Sequence, residues 1–130
     1  MKSYKPSTLI LASQSPRRKK ILQFLSVSFR VVKPRNVDET AFPREKAQQL
    51  VERLALSKAQ AVSKLYPQFP VLAADTVVVQ GNRIYGKPRN KAEALKTIMS
   101  LQGTKHEVWT GAALVWQKHK IQLSYREKTA

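Results

Sequence analysis

Seven side chains in this 130-residue sequence have types and surroundings suited to chemistry: Ser13, Arg17, Arg18, Glu39, Lys58, Asp75 and Lys87. Ser13 and Ser15 precede Pro16, Arg17 and Arg18 at what reads as a strand-to-helix turn. Ser before Pro is a helix-start signal, and a helix start presents bare N–H groups and partial positive charge. Two arginines are unfavourable there by about 0.3–1 kcal/mol each unless an anion, most simply a phosphate, joins them. The plainer reading is a capped helix with solvated arginines. Asp75 interrupts the apolar run Val71–Val79. A carboxylate in a buried strand must be protonated, paired or cation-bound. It is therefore either a salt-bridged core residue or a general base or metal ligand at a cleft. Lys58 falls within the apolar stripe of a long helix, either snorkelling to its rim or pointing into a polar cleft. Asp38 and Glu39 are adjacent acids in a loop, solvated or metal-facing. Lys87, between Gly86 and Pro88, is a point charge on a tight turn or an ordinary turn residue. Cations that neutralise phosphate oxygens, with carboxylates that hold a hard divalent ion or activate water, are the set that phosphoanhydride cleavage requires.

The elements that must position these groups follow from hydrophobic period. Leu9–Ala12 has strand character, followed by a helix carrying Ile21, Leu22 and Leu25. Val27–Val32 alternates as a strand. Glu45–Tyr66 is a helix whose stripe is Ala47, Leu50, Val51, Leu54, Ala61, Val62 and Leu65. Val71–Val79 is apolar on both faces and suits a central strand. Gly81-Asn82 predicts a hairpin to Arg83–Tyr85. Asn90 and Glu93 form a capping box before a helix with the stripe Ala92, Leu95, Ile98 and Met99, ended by Gly103. Val108–Trp116 and Ile121–Tyr125 are strands joined through a turn at 118–120. His106 and His119 stand alone, without the spacing of a zinc site or a triad.

Length indicates one domain with room for a core. The chain has 24 basic and 8 acidic residues, a net charge of +16. Such a chain adheres to nucleic acid at low salt whatever its function, and no aromatic-interleaved RNA-binding signature is present. No cysteine is available for disulfides or thiolate metal sites, and no apolar run approaches membrane length. The expected location is cytoplasmic.

The ordered segments LASQSPRR, Val37-Asp38-Glu39, Leu54-Ala55-Leu56-Ser57-Lys58-Ala59, Ala74-Asp75-Thr76-Val77-Val78, Gly86-Lys87-Pro88, Leu101-Gln102-Gly103, His106-Glu107-Val108 and Thr110-Gly111 resemble the Maf family of nucleoside triphosphate pyrophosphatases, from about Thr8 to the end. The resemblance implies a Maf/ITPase-like α/β fold, a mixed twisted sheet flanked by helices, with hydrolysis between the α and β phosphates of a nucleoside triphosphate. It makes Asp75 the proton acceptor and places Ser13, Arg17, Arg18, Lys58 and Lys87 on the phosphates. It sets Glu39, with Asp75, at a Mg²⁺ or Mn²⁺ ion. Arg17 and Thr76 match the branch preferring dTTP and UTP. Family members extend further, so the second lobe is expected to be incomplete within the single domain 1–130. The Trp109–Tyr125 region is then left with an apolar edge that a homodimer could cover, and activity is weakened or lost. The alternatives are a basic nucleic-acid-binding module or a non-catalytic remnant of the family.

Overall fold

A computed structural model describes residues 8–13, 23, 28–35, 37–81, 83–85, 90–102 and 106–129. Six strands make one mixed sheet: β1 (Leu9–Leu11), β2 (Phe29–Val31), β3 (Val71–Gln80), β4 (Arg83–Tyr85), β5 (Glu107–Trp116) and β6 (Ile121–Thr129). The order is β2-β1-β3-β5-β6, with β4 also on β3. β1 runs parallel to β2 and β3, while β5 runs antiparallel to β3 and β6 to β5. The run from Val71 is thus central, as its two apolar faces require. The hairpin pairs Val79 with Ile84 and Gln80 with Arg83, around a Gly81 of φ +59° that a side chain would strain.

Among the described residues, the helix α1 (Ala47–Ser63) packs against one face of this sheet. Its N-terminus is closed by Gln49, whose Oε1 accepts from the Lys46 backbone N–H at 3.0 Å. Side chains alternate across a strand, so the odd-numbered residues of β3 share a face. Val71 and Ala73 pack with Ala55, Ala59 and Val62 of α1, and Val77 packs with Leu50, Val51 and Leu54. Gly111 on β5 lies in register with Asp75. A Cβ at that position would stand 2.2 Å from the Val51 carbonyl oxygen. The glycine is what lets α1 lie this close to β5.

Three expectations are corrected. The long helix ends at Ser63, and Leu65, placed in its stripe, is 73% exposed. Pro67 disfavours helical backbone at Tyr66, so the chain leaves the helix beforehand. The final strand continues to Thr129 rather than Tyr125, because all nine residues of β6 pair with β5. A second helix, α2 (Lys91–Leu101), has the expected cap, Asn90 Oδ1 accepting from the Glu93 N–H at 2.8 Å. Its stripe residues Leu95, Ile98 and Met99 are nonetheless exposed, because helical period establishes which face is apolar and not what covers it. Gly103, Asn82 and the helix expected after Pro16, apart from Gln23, lie outside the described residues.

Candidate active site

Asp75 belongs to the odd-numbered row of β3 and therefore faces α1. Lys58 is three or four residues from Leu54, Ala55 and Val62, all buried in that interface. Its side chain crosses the gap. The Nζ donates to Asp75 Oδ1 at 2.9 Å and sits 2.8 Å from Glu39 Oε1. The Lys58 and Asp75 side chains are only 16% and 15% exposed, whereas Glu39 is 61% exposed. The site thus has a sheltered floor and an open lip. Burial pulls the Lys58 ammonium down, but the hydrogen bonds to Glu39 and Asp75 outweigh it and leave the group above its ordinary value.

Ser13, itself buried, follows β1 at the carboxyl end of that strand. The register Ile10↔Val71 and Leu11↔Leu72, with the Ala12 N–H on the Leu72 carbonyl at 2.9 Å, runs Ser13 alongside the first half of β3, the ten-residue strand that carries Asp75 at its middle. Ligands of open α/β sheets bind outside such carboxyl ends. The structure thus brings Glu39, Lys58 and Asp75 into contact, while Ser13 stands at the end of the strand adjacent to β3. Thr76 does not join them. It lies on the opposite face, its Oγ1 3.1 Å from Thr110 Oγ1 on β5. Arg17, Arg18 and Lys87 lie outside the described residues.

Two carboxylate oxygens within 3 Å of one ammonium converge on a single cationic centre. Such an all-oxygen pair fits Mg²⁺ or Mn²⁺, which keep waters and substrate phosphates as their remaining ligands. Among the described residues no group of three His, Cys, Asp or Glu could enclose a metal by itself. A hollow of about 910 Å³ runs along the flank of α1 past Asp38, Thr40, Arg53 and Gln122, but neither Lys58 nor Asp75 lines it. The chemistry is better placed at the Lys58 bridge, where charge and shelter coincide.

Residue-by-residue reading missed Arg53. Its guanidinium binds Glu45 through two hydrogen bonds, 2.7 and 2.8 Å, and reaches the Thr40 carbonyl at 3.0 Å. It also lies 3.9 Å from the centroid of the Phe42 ring. The eight-residue separation of Glu45 and Arg53 across a helix start was the only available signal. The Arg53 hydrogen bond holds the Glu45 carboxyl below the usual carboxylate range against the opposing effect of burial, with the Phe42 N–H assisting. A depressed folded-state pKa contributes stability that is complete above the unfolded value and lost as pH falls through the folded one. The unfolding midpoint should therefore drop on acidification below about pH 4, more steeply in the wild type than in Glu45→Gln. Thermal melts from pH 6 to 3 check this.

The family model for Maf-like proteins matches residues 8–130. A dTTP/UTP pyrophosphatase of Symbiobacterium thermophilum is 50% identical over 107 residues, covering 82% of this chain and 55% of that protein. The corresponding protein of Bacillus mycoides is 40% identical over 121 residues, covering 93% and 62%. The chain thus spans little more than half the length of these relatives. Among solved structures, the Staphylococcus aureus Ham1 protein superposes with a TM-score of 0.63 at 15% identity, over 94% of this chain and 69% of that one. A nucleoside-triphosphatase/dITP/XTP pyrophosphatase of Mycobacterium abscessus gives 0.54 at 16%, over 93% and 71%. These two establish the fold alone. With its family model matched from Thr8 onward and relatives at up to half identity, this chain belongs to the Maf family.

Proposed function

We propose that the chain hydrolyses nucleoside triphosphates to the monophosphate and pyrophosphate, with dTTP and UTP preferred. The observation that carries this reading is the Lys58 ammonium held between Glu39 and Asp75 at the sheltered interface of α1 and β3. The names of the relatives supply the substrate class. In this reading Lys58 turns from the carboxylates toward the phosphate oxygens when the anion arrives. Ser13, Arg17, Arg18 and Lys87 take the remaining oxygens. Asp75 accepts the proton of the water that splits the anhydride between the α and β phosphates. Arg17 selects the base, joined by Thr76 only where the nucleotide also reaches the opposite face of the sheet. Glu39 and Asp75 would hold Mg²⁺ or Mn²⁺, which when bound supplies charge neutralisation on the phosphate. A cytoplasmic location suits such a substrate. The structure's own statement is narrower: among the described residues, no helix is long and apolar enough to cross a membrane.

The test is a panel of nucleoside triphosphates with Mg²⁺ or Mn²⁺, read by pyrophosphate release and by calorimetric binding. Preference for dTTP and UTP is expected in both. Binding that ignores the base, weakens steeply with salt and extends equally to single-stranded DNA would overturn the reading in favour of a nucleic-acid module. Light scattering in the same buffers reports whether a homodimer forms.

A further inference from the structure

The loop that brings Glu39 to Lys58 is fastened by one side chain on the helix that carries Lys58. Arg53 donates Nε to Glu45 Oε2 and Nη2 to Glu45 Oε1, and the same Nη2 reaches the carbonyl of Thr40, the residue after Glu39. Its guanidinium covers the Phe42 ring, and the Phe42 N–H donates to Glu45 Oε1 at 3.0 Å. On the other side of Glu39, Asp38 Oδ1 accepts from the Thr40 N–H at 2.9 Å. Glu39 itself is mostly exposed and keeps a 2.8 Å contact to a lysine. Exposed ion pairs gain little because two long side chains must be immobilised. Here the backbone of the loop is already fixed, so less freedom remains to be lost. A planar guanidinium is suited to this task, since it grips a carboxylate with two prongs and still stacks on a ring.

We propose that Arg53 is a positioning residue, which by fixing the Thr40 carbonyl holds the Glu39 carboxylate at the Lys58–Asp75 pair. The catalytic part of this inference rests on the function proposed above. The positional part stands on geometry alone.

The experiment compares wild type, Arg53→Gln, Glu39→Gln and the double variant. The first readout is the backbone order parameter of Glu39 by NMR, which requires no turnover. It is expected to fall from the rigid range of about 0.85 to below about 0.6 in Arg53→Gln, while the amides of α1 stay rigid. The second is kcat and KM for dTTP. Arg53→Gln should lose about 10–100-fold in kcat/KM, and the double variant should lose no more than Glu39→Gln. A merely structural role would give multiplied losses in the double variant. Multiplied losses, or a Glu39 amide as rigid as in the wild type, would overturn the proposal. Should Arg53→Gln fail to fold, Arg53→Lys, which keeps the charge and loses the two-pronged grip, is read by the same measures. Absence of turnover and of nucleotide binding in the wild type would sink the proposed function instead, leaving the order parameter to decide the role of Arg53.

Discussion

Asp75→Asn should cut pyrophosphate release from dTTP by at least about 100-fold while leaving a folded protein. The substitution is nearly isosteric. The asparagine Oδ1 can still accept from the Lys58 ammonium, and Glu39 still lies 2.8 Å from that nitrogen. Asparagine cannot accept the proton of an attacking water at neutral pH, and it is a poorer ligand for a hard cation. Packing and chemistry are therefore separable at this position. Steady-state rates beside thermal melts make the check. Retained turnover in a stably folded Asp75→Asn protein would remove the acid from the reaction. Lys58→Met is the complementary variant. It leaves two carboxylates facing one another without their cation, so it should destabilise the fold as well as weaken nucleotide binding.

The parts of this site that were legible in the sequence were those that broke a pattern. Asp75 interrupts an apolar strand and Lys58 an apolar helical stripe, and each interruption is costly unless something compensates it. What compensates them proved to be each other, at 2.9 Å. The choice of Glu39 over Asp38 had no local physical ground, because both are loop acids. Only the tertiary path of the loop distinguishes them, sending Glu39 to Lys58 and Asp38 to the Thr40 N–H. Arg53 was invisible for a related reason. A polar residue on the outer flank of an amphipathic helix has the pattern of a solvated one. The strand order was likewise out of local reach, since parallel pairing of β1 with β3 joins segments some sixty residues apart. Strand alternation, by contrast, already implied that neighbours Asp75 and Thr76 could not face the same way. Any contact of Thr76 with a nucleotide must come from the other side of the sheet.

Gly111→Ala should lower the melting temperature by about 10 °C, a large effect for one added methyl group. The added Cβ would stand 2.2 Å from the Val51 carbonyl oxygen, 2.3 Å from its carbon and 2.5 Å from the Glu52 nitrogen. These are backbone atoms of a helix whose neighbouring side chains, Val51 and Ala55, are fully buried. They cannot rotate away as a side-chain tip would, so the cost falls at the upper end of the ~1–3 kcal/mol typical of overpacking. The chemical consequence follows from register. Gly111 is the partner of Asp75 across the β3–β5 ladder. A helix pushed off Gly111 is pushed away from the strand pair that carries the acid, which stretches the Lys58–Asp75 contact. Activity should therefore fall even below the melting transition. Gly81→Ala is the control. Gly81 has φ +59° and no atom within 4 Å of the added carbon, so its cost is backbone strain of about 1–2 kcal/mol. If Gly111→Ala melts no lower than Gly81→Ala and turns over normally, the close approach of α1 to β5 is not what holds Lys58 against Asp75.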